Sequence, residues 1–166
     1  HTYPGASAPF GMMQLSPDTR HDGWDGCSGY HYSDSLIYGF SHTHLSGTGV
    51  SDYGDLLIVP QIGNPAIDPG YASKKGYQAA FSHEDEVATP GFYSVKLNDG
   101  DMNVRLTASE RAGYHQYVFN KESGKKFILI DLDHRDKLLS SAINLIDKKT
   151  ISGNRVSEAW AEEQYF

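Results

Sequence analysis

The chain has a single cysteine, Cys27, so no disulfide can form within it, and the redox compartment stays open. It has no run of about 18 apolar residues, so no segment reads as a membrane-spanning helix. Basic residues are in deficit: 14 Lys and Arg stand against 21 Asp and Glu, a net charge of −7. That balance argues against nucleic acid as a partner, because phosphates call for a basic footprint. Helical periodicity is also missing. No window carries a convincing amphipathic spacing, and residues 137–145 come nearest. There is no internal repeat and no low-complexity tract. What remains is 39% hydrophobic and 21% charged over 166 residues, which fits one folded domain. The sequence opens at His1 within what reads as structured chain and stops at Phe166 without a polar taper. The expectation is a piece of a longer polypeptide, in which case a missing signal peptide excludes nothing.

Period two is present where period 3.6 is not. Leu56 to Val59 is an apolar run expected to stop at Pro60, and Tyr77 to His83 reads as a further strand. Residues 92–97 alternate and halt at Asn98-Asp99-Gly100, a hairpin signal. Met102, Val104 and Leu106 alternate with Asn103, Arg105 and Thr107, so one face should be buried and the other wet. Strands follow near 114–119 and 126–132, joined by a polar turn over 121–125. Phe127 to Ile130 is nearly all apolar, as a strand covered on both faces would be. Residues 142–147 and 150–158 close the series. Many short strands at regular spacing predict an all-β, antiparallel β-sandwich. The first 55 residues differ in texture. They are expected to be long loops with one strand, Leu36 to Thr43, laid over a sandwich edge, and long loops on a rigid sheet commonly carry function.

Residues 21–55 concentrate Trp24, Cys27, four His, five Asp and several Tyr and Gly. Aromatic faces can cover the apolar C–H faces of a sugar ring while Asp, His and Ser bond its hydroxyls. The same residues also suit an ordinary loop with half-buried packing aromatics. His42 and His44, two apart, would share a face of a strand and could join Asp52 or Asp55 at a metal; the alternative is that both simply bond backbone or ligand hydroxyls. Cys27 would need a base such as His31 to act as a nucleophile, and is otherwise an inert thiol. Ser41, His42 and Asp25 form a triad only on paper, without a nucleophile elbow. Ser46-Gly47-Thr48-Gly49 lacks the Lys of a phosphate loop and reads as a turn. Asp18, Asp22 and Asp25 are candidates for a carboxylate pair. Glu84-Asp85-Glu86 reads as a solvated turn, Tyr114, His115 and Tyr117 as packing residues, and Trp160 as core or as a contact to further chain.

These motifs together resemble the N-terminal domain of glycoside hydrolase family 92, the calcium-dependent bacterial exo-α-mannosidases. The resemblance runs through Thr2-Tyr3-Pro4-Gly5-Ala6, Pro9-Phe10-Gly11-Met12, Gln14-Leu15-Ser16-Pro17-Asp18-Thr19 and Gly23-Trp24-Asp25. It continues through Cys27-Ser28-Gly29-Tyr30-His31-Tyr32, residues 39–49 from Gly39 to Gly49, Gly54-Asp55, Pro90-Gly91-Phe92-Tyr93 and Thr107-Ala108-Ser109-Glu110-Arg111. It implies a galactose-mutarotase-like supersandwich that occupies residues 1–166 and precedes a C-terminal (α/α)6 catalytic barrel. It implies an inverting hydrolase of terminal α-mannosides, on N-glycans or mannans, secreted or periplasmic. The general acid, the general base and most calcium ligands would come from the barrel, so no catalytic or metal-binding residue is expected here. The substrate-lining residues it suggests are Gly11, Trp24, Asp25, Cys27, His42 and His44, with Trp24 at the leaving sugar. Some members carry a second Trp where this chain has Gly26, so linkage preference does not transfer. The expected partners are α-mannoside glycans and the catalytic domain, with self-association through the exposed interdomain face. The alternatives are a carbohydrate-binding module acting alone and a purely structural domain.

Overall fold

The computed structural model describes the chain from His1 to Phe166 except Lys74, Lys121 and Ser123. Its strands are β1 (Ala6–Ser7), β2 (Gln14–Asp18), β3 (Leu36–Ile37), β4 (Gly39–Ser41), β5 (Leu57–Ile62), β6 (Ala79–Ala80), β7 (Val87–Thr89), β8 (Phe92–Leu97), β9 (Met102–Ala108), β10 (Gly113–Phe119), β11 (Lys126–Asp131), β12 (Lys137–Leu145), β13 (Ile151–Glu158) and β14 (Gln164–Tyr165). No α-helix occurs among the described residues, and no helix is long and apolar enough to cross a membrane. The fold is all-β and antiparallel.

Two sheets face each other. One has the order β1-β2-β4-β5-β11 and the other β10-β9-β8-β7. The alternation read in residues 92–108 explains the contact. Tyr93, Val95 and Leu97 on β8 lie directly opposite Leu106, Val104 and Met102 on β9, so all six share the inner face. They pack on Ala6, Leu15, Ile37, Phe40 and Phe81. The β8–β9 hairpin turns at residues 98–101, as the Asn-Asp-Gly signal predicts. The strands expected at 92–97, 102–108, 114–119 and 126–132 are all present, within a residue at their ends. The turn expected over 121–125 falls partly on Lys121 and Ser123, outside the described residues.

Several elements depart from expectation. Pro60 does not end its strand, because β4 pairs with β5 only at Ile58. Beyond that point β5 is an edge on one side, where a missing N–H costs nothing. The strand expected over 36–43 is two short strands. Leu36 and Ile37 pair with β6, whereas β4 pairs with β2 and β5. Tyr77 to His83 contributes only β6 and a bridge at Phe81, followed by a 3-10 turn at His83–Asp85. The acidic stretch there is not all solvated, since Glu86 accepts the hydroxyls of Tyr30 and Tyr93. β11 is not covered on both faces: it is an edge strand, and Ile128 is exposed. β2 was not foreseen at all.

The third sheet, β12-β13-β14, shares no strand pairing with the other two. Its hairpin exposes Leu139, Ile143, Leu145, Ile146 and Ile151.

Candidate functional site

The 20–29 loop, between β2 and β3, is shaped from a distant part of the chain. Arg135 is buried after β11, and its guanidinium donates to three carbonyls: Arg20 at 3.0 Å, His21 at 3.1 Å and Gly26 at 2.8 Å. The second loop, residues 42–56, joins from the other side. Gly49 N–H donates to the Trp24 carbonyl at 3.1 Å, and Ser51 Oγ donates to the His21 carbonyl at 3.2 Å. With its backbone tied, the loop holds the Trp24 indole in solvent, 68% exposed.

Trp24 lines an open hollow of about 540 Å³ together with Cys27, Ser46, Asp52, Tyr53 and Trp160. Asp52 is buried, and its Oδ1 accepts from Tyr53 N–H at 2.9 Å and from Gln164 Nε2 at 2.8 Å. Two indoles and a tyrosine ring in one lining with the Asp52 carboxylate and the Ser46 hydroxyl form a surface that fits a polyhydroxylated ring. Trp160, expected in the core or against further chain, is 75% exposed here. Residues 47–50 form a bend with no helix after it.

Of the remaining sequence candidates, some meet at this hollow and others do not. Cys27 is buried beside it. His31, the base it would need, instead bonds Ser33 Oγ at 2.8 Å. Asp25 is on the exposed face of the same loop, 3.4 Å from His1 Nδ1. Gly11 is not in the lining; a Cβ there would come within 3.2 Å of Glu110, at the turn between β9 and β10.

His42 and His44 lie past the end of β4 and are both buried, so the shared strand face expected for them is not what positions them. His42 Nδ1 donates to the Leu56 carbonyl at 2.8 Å, and its Nε2 meets Nε2 of His115 at 3.2 Å. A carbonyl can only accept, so His42 Nε2 accepts from His115. His115 Nδ1 in turn accepts the Tyr117 hydroxyl at 2.7 Å. A neutral, directional chain results. Burial lowers the His42 pKa, and burial with the nearby His42 lowers that of His115 to about 3. His44 Nδ1 donates to the Gln14 carbonyl at 2.7 Å, while Nε2 meets Ser41 Oγ at 2.9 Å. The Ser41 partner is thus His44, not the His42 of the paper triad.

The carboxylates are dispersed. Asp18 is wholly buried at the end of β2, where it accepts Ser41 N–H at 3.1 Å and lies 3.4 Å from His44 Nε2. Burial alone would raise its pKa. The charges and hydrogen bonds of His44 and His134 outweigh that and hold its carboxyl well below the usual range. Asp22 and Asp25 are on the surface. The three are not a pair that could flank a sugar. Gly29 has φ +79°, and a Cβ there would fall 2.4 Å from Asp18 Oδ1. Only glycine fits that approach.

Sequence reading missed two arginines. Arg155, buried in β13, bonds Asp55, the Arg135 carbonyl and Ser157 Oγ, the last at 2.7 Å. The 42–56 loop, β13 and the 132–136 segment are thereby laced together. The available signal was Arg155 and Ser157 alternating on one strand face, an arginine where a strand ought to be apolar. Asp136 sits in the same cluster. Burial and the Asp52 charge raise its pKa to about 7 against the pull of Arg135 and Arg155.

Comparison with known proteins gives the chain its family. The model of the glycosyl hydrolase family 92 N-terminal domain matches residues 1–166. The family GH92 α-mannosidase BT3965 of Bacteroides thetaiotaomicron superposes with a TM-score of 0.92 at 37% identity, over 99% of this chain and 22% of its own. The family GH92 inverting mannosidase BT2199 of the same organism gives 0.75 at 30% identity, over 92% and 19%. An uncharacterized secreted glycosidase of Arthroderma benhamiae is 35% identical over 159 residues, 91% of this chain and 20% of that protein. The chain therefore spans about a fifth of the relatives it matches. It belongs to glycosyl hydrolase family 92, as an N-terminal domain of that family.

Proposed function

We propose that this chain is the N-terminal domain of an inverting α-mannosidase and supplies one rim of its substrate cleft. The substrate class is terminal α-mannosides of N-glycans or mannans. The observation that carries the reading is the open hollow walled by the exposed Trp24 indole, on loops that Arg135 and the 42–56 segment fix in place. Trp24 would stack on the leaving sugar. Asp25 stands beside it on the same loop. His42 and His44 act through the loop they anchor, since both spend their ring nitrogens on other protein groups. Cys27 backs the hollow, and Gly11 holds the 8–12 segment against the β9–β10 turn.

The chain by itself is expected to be inactive. An inverting hydrolase needs an acid and a base about 6.5–9.5 Å apart across the bond. Here Asp18 is sealed inside, and Asp22 and Asp25 stand on the outer loop. The family resemblance implies a calcium ion. Among the described residues no three His, Cys, Asp or Glu side chains are arranged to hold a metal ion. We assign it to the catalytic remainder of the enzyme and derive no step through it. Secretion or periplasmic export suits a glycan hydrolase, and one relative is described as secreted.

The experiment is hydrolysis of α-mannobioses by the full-length enzyme, followed by proton NMR of the released anomer. Release of β-mannose first supports inversion. Release of α-mannose first, or no action on any α-mannoside, overturns the reading. The 166-residue chain assayed alone should show no turnover.

A further inference from the structure

The chain contains two tryptophans, and both line the same hollow. Trp24 enters from the loop after β2 and Trp160 from the turn after β13, and each is more than two-thirds exposed. Leaving an indole in water forfeits the free energy its burial would give. Two of them at one hollow call for an occupant. Its chemistry follows from the floor. Asp52 spends Oδ1 on Tyr53 N–H and Gln164 Nε2, while Oδ2 takes no hydrogen bond among the described residues. An occupant with apolar faces and hydroxyl edges matches both features, and a pyranose ring is such an occupant.

The position of Trp160 is built. Arg155 and Phe166 exchange backbone hydrogen bonds, each 2.9 Å, which sews β14 to β13. Ala159 N–H donates to the Ala161 carbonyl at 3.1 Å and closes the turn that carries Trp160. Gln164 Nε2 reaches across to Asp52 at 2.8 Å, and Arg155 bonds Asp55. The strands that flank the Trp160 turn are thus tied to the 42–56 loop through Asp52 and Asp55, and that loop is bonded in turn to the Trp24 loop through Gly49 and Ser51.

We propose that Trp24 and Trp160 are opposing aromatic walls of one sugar subsite, with Asp52 accepting a hydroxyl at its floor, and that its ligand is a pyranose ring of a mannose-containing glycan. The proposal rests on the α-mannoside reading above and adds Trp160 and Asp52 to it. Gln164 is a positioning residue that acts through Asp52.

Intrinsic fluorescence of the 166-residue chain tests it, because its two indoles are the only tryptophan emitters and both belong to the hollow. Trp24→Phe leaves Trp160 as reporter, and Trp160→Phe leaves Trp24. Each variant is titrated with α-1,2-, α-1,3- and α-1,6-mannobiose into the millimolar range, with cellobiose as control and circular dichroism to confirm the fold. The expected result is a saturable change in both variants with one of the mannobioses, at Kd values that agree within about twofold, and weakening of tenfold or more with Asp52→Ala. A responding Trp24 beside a silent Trp160 overturns the second wall and leaves the α-mannoside reading standing. Silence of both overturns the subsite altogether. The NMR assay on the full-length enzyme then decides the α-mannosidase reading separately.

Discussion

At the scale of single residues, the buried titratable groups set opposing pH dependences. His115 is held neutral by burial and by His42, with its pKa at about 3 against the ordinary 6.5. The unfolded chain takes up that proton below pH 6.5 and the folded chain does not until about 3. His115 therefore contributes stability above pH 6.5 that is lost as pH falls through that window. Asp136 works the other way. Its folded pKa is raised to about 7 from 3.8, so its contribution is present at acid pH and is lost as pH rises towards 7. Asp136→Asn keeps the uncharged form, and asparagine tolerates the φ of +64° found there. The variant should melt higher than the parent at pH 8 and about equally at pH 4. Thermal melts at the two pH values check this; a loss at pH 8 would contradict it. His115→Gln should flatten the acid limb between pH 6.5 and 3.

At the scale of elements, Arg135 is the test of how the Trp24 loop is held. Arg135→Met removes three donors and leaves the carbonyls of Arg20, His21 and Gly26 to find water or go unpaired. Each buried group left unsatisfied costs about 1–3 kcal/mol. A drop in Tm of several degrees should come with faster amide exchange confined to residues 20–29. Uniform exchange across the sandwich would show instead that Arg135 supports the whole fold.

The same scale shows what was legible beforehand. β8, β9 and β10 could be read because their pairing is local, and Tyr93, Val95 and Leu97 alternate on one strand with hairpin residues at its end. β2 could not. Gln14-Leu15-Ser16-Pro17-Asp18 is polar and contains a proline, yet it lies between β1 and β4. Gln14 and Asp18 are met by His44 and by the Ser41 N–H, from residues more than twenty positions away. The strand expected over 36–43 failed for a similar reason, since local pattern does not say which sheet a residue joins. At the site, the composition of residues 21–55 pointed to the Trp24 loop. Arg135, Arg155 and Trp160 were out of reach, because long-range contacts bring them there.

For the whole molecule, the β12–β13 hairpin carries a row of exposed aliphatic side chains, Leu145 and Ile146 most of all. Contiguous apolar surface of this kind marks an interface. The chain alone should self-associate as concentration rises, and Leu145→Lys with Ile146→Lys should return it to monomer without lowering Tm, because neither side chain is buried. Sedimentation velocity across a concentration series checks this. A parent chain that stays monomeric throughout would contradict it.

The central claim is that the Trp24 hollow forms one rim of an α-mannoside cleft. Its most direct test is the specificity constant of the full-length enzyme carrying Trp24→Ala, measured on an α-mannobiose and on an aryl α-mannoside. Loss of stacking on the leaving sugar should lower kcat/KM for the disaccharide by about ten- to a hundredfold, since about 1.4 kcal/mol is a factor of ten. The aryl substrate, whose leaving group needs less help, should lose much less, and Tm should stay put because the indole is exposed. Equal losses on both substrates together with a lower Tm would make Trp24 a packing residue and contradict the account.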